Sequence, residues 1–181
     1  MQNSSYQAVL FDFDDTLVKT WVQKWAQHKF VAKKYYNVDI TDETLAEHWG
    51  IPFDKLLKAM YGDVDSVENM HKVYVASEND FLKEIQDETL PVLQQLIDAG
   101  LELGIVSSMT SDVVLADVER LDFPLQKLAV VQGSDGSMFH KPDPRVFDPA
   151  LHTLLRKGVT DPSRIVYVGD AVMDYLAARD A

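Results

Sequence analysis

Asp12-Phe13-Asp14-Asp15-Thr16-Leu17 places three carboxylates within four residues, at the end of the apolar run Ala8–Phe13. Carboxylates this close repel one another, and burying any of them unpaired is costly. A hard divalent cation is the obvious relief. Mg2+ takes oxygen ligands and is commonly held by one or two carboxylates together with a substrate phosphate. The alternative is an acidic turn facing solvent, with Asp14 or Asp15 capping a short helix. Three later segments carry groups of matching chemistry. Ser107-Ser108 follows the run Leu101–Val106; a hydroxyl there can donate to a phosphoryl oxygen or cap the next helix. Lys141 stands before Pro142 and Pro144 and suits a phosphate as a point charge, although a lone loop lysine is more often simply solvated. Gly169-Asp170 follows the run Arg164–Val168, with Asp174 four residues on. Gly169 allows close backbone approach and Asp170 can complete a cation site. Asp174, one helical turn later, can brace that site or the lysine.

These groups need elements to hold them. Ala8–Phe13, Leu101–Val106, Leu128–Val131 and Arg164–Val168 are short, nearly continuous apolar runs, the pattern of parallel strands buried on both faces. Helical patterns lie between them. One is capped at Thr89, has Pro91 in its first turn and stops at Gly100; a second is capped at Ser111 and ends near Leu121. A third opens at Asp143-Pro144 and runs to Lys157. Strand then helix, repeated, predicts a parallel α/β sheet with right-handed crossovers. In such sheets ligands bind beyond the carboxyl ends of the strands, and each reactive group above follows one of those ends. Residues 19–86 break the rhythm. They hold no good strand, but helical signals over Trp21–Tyr36, after a Thr41 cap at Asp42–His48, and from Pro52 to Gly62. Helical spacing of Val67, Met70, Tyr74, Phe81 and Ile85 predicts one more, longer segment.

Taken together, these motifs resemble the haloacid dehalogenase-like hydrolase superfamily, most closely its helical-cap phosphatases of the phosphoglycolate-phosphatase-like branch. The resemblance spans nearly the whole chain. It implies a Rossmann-like core from residues 1–18 and 87–181 and an inserted all-helical cap over 19–86. It further implies a Mg2+-dependent phosphatase acting on a small phosphorylated metabolite through an aspartyl-phosphate. By this likeness Asp12 is the nucleophile and Asp14 the general acid and base. Mg2+ is held by Asp12, the main-chain carbonyl of Asp14, and Asp170. Ser107 and Lys141 stabilise the transferring oxygens, Asp174 positions the lysine, and Asp15, Thr16 and Ser108 lie near the phosphate. An acid at Asp14 also favours an oxygen leaving group over a halide, because an alkoxide needs a proton.

Asp15 stands where many members carry glycine, and Ser108 where asparagine is common. Members continue past the Asp174 helix to another strand and helix, whereas this chain stops at Ala181; the family's C-terminal strand is therefore expected to be missing. Other readings are a sugar-phosphate mutase of the same superfamily, or an inactive cation- or partner-binding relative. A phospho-acceptor receiver domain fits poorly, because the third strand ends Val131-Gln132-Gly133 without an aspartate.

Composition narrows the partners. The 181 residues carry 29 acidic against 17 basic side chains, a formal charge of −12, which repels nucleic acid. Without cysteine there is no disulfide, thiolate zinc site or thiol nucleophile. No apolar stretch approaches a membrane span, and Met1–Ser5 lacks a signal-peptide pattern, so a cytoplasmic protein is expected. Lys19, Lys24, Lys29, Lys33 and Lys34 interleave with Trp21, Trp25, Phe30, Tyr35 and Tyr36. That segment is either a helix with a solvated lysine face or a basic cap surface that attracts anions.

Overall fold

The computed structural model describes residues 6–49, 51 and 53–181. The chain runs through β1 (Ala8–Phe11), β2 (Val18–Lys19), α1 (Trp21–Val31), α2 (Asp42–His48), α3 (Phe53–Tyr61), α4 (Val67–Ala76), β3 (Glu84–Ile85) and α5 (Thr89–Asp98). It continues with β4 (Glu102–Val106), α6 (Ser111–Arg120), β5 (Leu128–Gln132), α7 (Asp148–Arg156), β6 (Ile165–Val168) and α8 (Val172–Arg179). Two compact units result, Met1–Lys19 with Ile85–Ala181, and Thr20–Glu84. The expected helix start at Pro52, the loop glycine Gly50 and the Met1–Ser5 segment lie outside the described residues. Among the described residues no helix is long and apolar enough to cross a membrane.

In the first unit the four apolar runs form one parallel sheet in the order β5-β4-β1-β6. Alternation along the strands sorts side chains to its two faces. Val9, Phe11, Leu103 and Ile105 meet Leu93 of α5 and Val114 and Val118 of α6. Ala8, Leu10 and Val106 meet Ala150 and Leu154 of α7 and Ala177 of α8. With both faces covered, the strands read as unbroken apolar runs. β1 has β4 on one side and β6 on the other, so chain connections diverge at its carboxyl end, the position at which open α/β sheets bind their ligands.

One row across the sheet is packed to its limit. Leu10 is registered with Gly104 on one side and Tyr167 on the other. A Cβ at Gly104 would lie 2.5 Å from Val130 Cγ1 and 2.6 Å from Leu10 Cδ2. Gly104→Ala is therefore expected to destabilise the protein by about 1–3 kcal/mol through overpacking. The check is a lower urea midpoint with an unchanged slope.

Helix ends differ from expectation where distant groups claim the side chains. Thr89 is the first residue of α5 rather than its cap, because its hydroxyl donates to the Leu17 carbonyl at 2.9 Å. Thr110, not Ser111, occupies the cap position of α6; the Ser111 hydroxyl donates to Asp135 at 2.7 Å. Asp143 accepts from the Arg145 amide and opens a 3-10 turn, Pro144–Phe147, before α7.

In the second unit, Val31, Leu45, Leu57, Met60, Tyr61, Met70 and Tyr74 form the core. Thr41 caps α2 as expected, accepting from the Thr44 amide. The long helix expected to reach Ile85 instead stops at Ala76. The Tyr74 carbonyl, which would continue it, accepts from Gln27 Nε2, Ser77 Oγ and the Ser77 amide. Phe81 then packs against Phe30, 5.2 Å between ring centres, and Ile85 joins the two-residue strand β3, which pairs with β2. The expectation of no strand over residues 19–86 is corrected to that extent. His28 is buried, with Nδ1 2.9 Å from the Tyr61 hydroxyl. Burial, helped by nearby Lys24, lowers its pKa to about 4, so the imidazole is neutral at physiological pH. Lys24, Lys29 and Lys33 are ion-paired with Glu78, Asp42 and Asp39, and Lys19 of the first unit pairs with Asp87. The lysine-rich segment is thus largely compensated by its own neighbours.

Candidate active site

At the carboxyl end of β1 the ladder carries on by one bond, from the Asp12 amide to the Val168 carbonyl at 2.8 Å. Phe13 is fully buried and pins the segment to the core. The chain then doubles back, with the Leu17 and Val18 amides both donating to the Phe13 carbonyl. That turn puts Asp15 at φ 59°, a left-handed conformation that aspartate tolerates better than most residues and glycine best. The departure from the family's common glycine is thereby accommodated. Thr16 Oγ1 is buried with no hydrogen-bond partner among the described residues.

Lys141 reaches this turn from the loop after β5. Its Nζ lies 2.6 Å from Asp12 Oδ1 and 2.7 Å from Asp174 Oδ1, with all three side chains buried. Asp174 is held from further directions. Its Oδ2 accepts from the Ala171 amide at 3.0 Å and its Oδ1 from the Tyr167 hydroxyl at 3.1 Å. A Cβ at residue 169 would come within 2.5 Å of Asp174 Cγ, so Gly169 is what lets this carboxylate approach. Ser107, buried at the end of β4, donates its amide to the Gln132 carbonyl. Its hydroxyl accepts from the Met109 amide at 3.1 Å and lies 3.5 Å from Asp14 Oδ2. Ser107, Ser108, Ser134, His140, Lys141 and Val146 line a pocket of about 90 Å3. Asp12, Asp170 and Asp174 bring carboxylate oxygens within 4.8 Å of one another; the Asp14 carboxylate is not in that group.

A family model for the haloacid dehalogenase-like hydrolases matches residues 9–181. The chain belongs to that family. The pyrophosphatase PpaX of Bacillus pumilus is 28% identical over 182 residues, covering 100% of this chain and 82% of that protein. A Thermotoga maritima structure named for β-phosphoglucomutase superposes with a TM-score of 0.83 at 23% identity, over 96% of this chain and 81% of that one. A subfamily IA haloacid dehalogenase hydrolase from Geobacter sulfurreducens gives 0.77 at 19% identity, over 99% and 85%. The two structures share the fold of this chain.

The electrostatics of this haloacid dehalogenase-like site are those of an anion excess. Asp12 and Asp174 share the Lys141 ammonium, and Asp170 brings a third carboxylate within 4.8 Å of theirs. Burial pushes the Asp12 carboxyl up to about 6 even though Lys141 opposes the shift. Asp170 is also raised, by burial first and then by Asp15 and Asp174. A hard divalent cation fits such a donor set. Lys141, Tyr167 and the Ala171 amide already engage Asp174, so Asp12 and Asp170 are the carboxylates best placed to offer oxygens to a metal.

Two residues of the site were not anticipated. Gln132 is buried at the end of β5 and donates Nε2 to the Val146 carbonyl at 2.7 Å, tying down the loop that carries Lys141. Tyr167 sits in an otherwise aliphatic strand. A phenol in such a run must find a polar partner, which was the available signal.

Proposed function

We propose that the chain is a cytoplasmic, Mg2+-dependent phosphatase that hydrolyses a small phosphorylated metabolite through an aspartyl-phosphate on Asp12. The observation that carries this reading is the buried Asp12–Lys141–Asp174 array at the carboxyl end of β1 and β6. An Asp12 oxygen attacks phosphorus, and the bond from phosphorus to the leaving oxygen breaks. Asp14 gives that oxygen a proton, then takes one from the water that attacks the aspartyl-phosphate, releasing phosphate and restoring the Asp12 carboxylate. Ser107 and Lys141 meet the charge that gathers on the non-bridging oxygens, and Asp174 keeps the lysine in place. Asp15, Thr16 and Ser108 contribute near the phosphate; the buried Thr16 hydroxyl, which has no hydrogen-bond partner among the described residues, supports that part of the assignment. Asp12, the Asp14 carbonyl and Asp170 would hold Mg2+, which supplies charge neutralisation between carboxylate and phosphate.

The small pocket of about 90 Å3 beside Ser107 and Lys141 supports a compact phosphoryl-sized group at this edge of the sheet. The relative from Bacillus pumilus, named a pyrophosphatase, supports the same class of group. Hydrolysis of a generic aryl phosphate, with a panel of small phosphate esters and pyrophosphate, tests the reading. Turnover is expected to require Mg2+, to vanish on chelation and to return when Mg2+ is restored in excess. Equal rates with and without the metal would overturn the cofactor assignment. A folded protein inactive on the whole panel would point to a binding role instead.

A further inference from the structure

We infer that Tyr167 is a positioning residue of the reaction, its hydroxyl fixing Asp174 and through it Lys141; this rests on the phosphatase reading above. Tyr167 lies on the sheet face shared with Leu10 and Gly104. Its hydroxyl reaches the carbonyl of Val106, two strands away on β4, at 3.2 Å, and Asp174 Oδ1 at 3.1 Å. Phe147 packs edge-on against its ring, 4.8 Å between centres, and Lys141 Nζ lies 5.2 Å from the ring centre. One phenol thus joins the residue before Ser107, the carboxylate that holds the lysine, and the ammonium itself.

The chemistry explains why such a tie matters. A phenol has one proton, and both of its neighbours here are acceptors, so the hydroxyl is drawn between β4 and Asp174 and fixes their spacing. Lys141 is shared between Asp12 and Asp174 at nearly equal distances. Asp12 must give up part of that contact to attack phosphorus, which requires Asp174 to hold its own share firmly. Loss of the hydroxyl removes one donor from Asp174 Oδ1, so that this carboxylate and the ammonium it holds are no longer fixed in one position. A group held out of place at the transition state lowers kcat more than it changes KM.

Tyr167→Phe keeps the ring, its packing on Phe147 and its face toward Lys141. It is expected to lower kcat about tenfold with KM changed less than about twofold. Lys141 in the metal-free variant should acylate at least about threefold faster than in wild type, read by peptide mass spectrometry, with Lys157 as the exposed internal control. Asp174→Asn already weakens the anchor, so adding Tyr167→Phe to it should change neither quantity further, the non-additivity of a shared path. Placing p-aminophenylalanine at 167, which restores a donor at the same point, should recover most of both. Wild-type labelling of Lys141 in Tyr167→Phe, or an undiminished effect in the Asp174→Asn background, overturns the inference. The labelling needs no turnover, so it judges Tyr167 even if the wild type proves inactive and the phosphatase reading fails.

Discussion

Asp12→Asn is expected to lower aryl-phosphate turnover by at least about a thousandfold, since the amide cannot form the acyl phosphate. The same variant is expected to fold, and its stability carries a second signature. Burial raises the Asp12 carboxyl from 3.8 to about 6. A raised acid binds more protons in the folded than in the unfolded chain, so stability falls as pH rises between those values. About two pH units corresponds to about 3 kcal/mol lost by the metal-free protein above about pH 6. Asparagine has nothing to ionise and leaves Lys141 its second partner, Asp174. Urea unfolding without Mg2+ should therefore find Asp12→Asn at least as stable as wild type near pH 7.5. Wild type should gain on the variant as the pH is lowered through about 6 toward 4. Turnover retained within about tenfold would remove Asp12 as nucleophile.

The sheet and its reactive edge were legible because they depend on local pattern. Val9, Phe11, Leu103 and Ile105 alternate with Ala8, Leu10, Gly104 and Val106, and both sets are apolar, as a sheet covered on both faces demands. Asp12, Ser107 and Asp170 each lie just past such a run, so the fold brings them to one edge whatever the intervening chain does. What stayed hidden depends on partners far away in sequence. Thr89 and Ser111 carry good capping chemistry, but the Leu17 carbonyl and Asp135 take their hydroxyls. The apolar spacing through Phe81 and Ile85 is helical, yet Gln27 from α1 claims the Tyr74 carbonyl and the helix stops. Tyr167 and Gln132 were missed for the same reason. Their importance lies in the Asp174 carboxylate and the Val146 carbonyl, which no window of sequence places beside them.

Lys141→Met separates a structural lysine from a functional one. The ammonium side chain is 5% exposed and contacts two buried carboxylates. Its removal leaves Asp12 and Asp174 without the positive charge between them, although Asp174 keeps the Tyr167 hydroxyl and the Ala171 amide, and breaking a buried pair in this way costs about 3–5 kcal/mol. Near pH 7.5 without metal, the variant should therefore unfold at markedly lower urea. The loss should shrink toward about pH 5, because the Asp12 carboxyl, already raised by burial and no longer opposed by Lys141, takes up its proton in the folded state first. Excess Mg2+ should recover part of the stability by replacing one positive charge with another, but not the rate. Turnover should remain down by about a hundredfold or more, the scale of losing a preorganised donor to the transferring phosphoryl group. Lys141→Arg sharpens the distinction. It restores the charge, and with it much of the stability, but its planar fork cannot take the place of a compact ammonium between Asp12 and Asp174, so the rate should stay low. A Lys141→Met protein as stable as wild type, with turnover within about threefold, would mean that the two carboxylates are balanced by something other than this lysine.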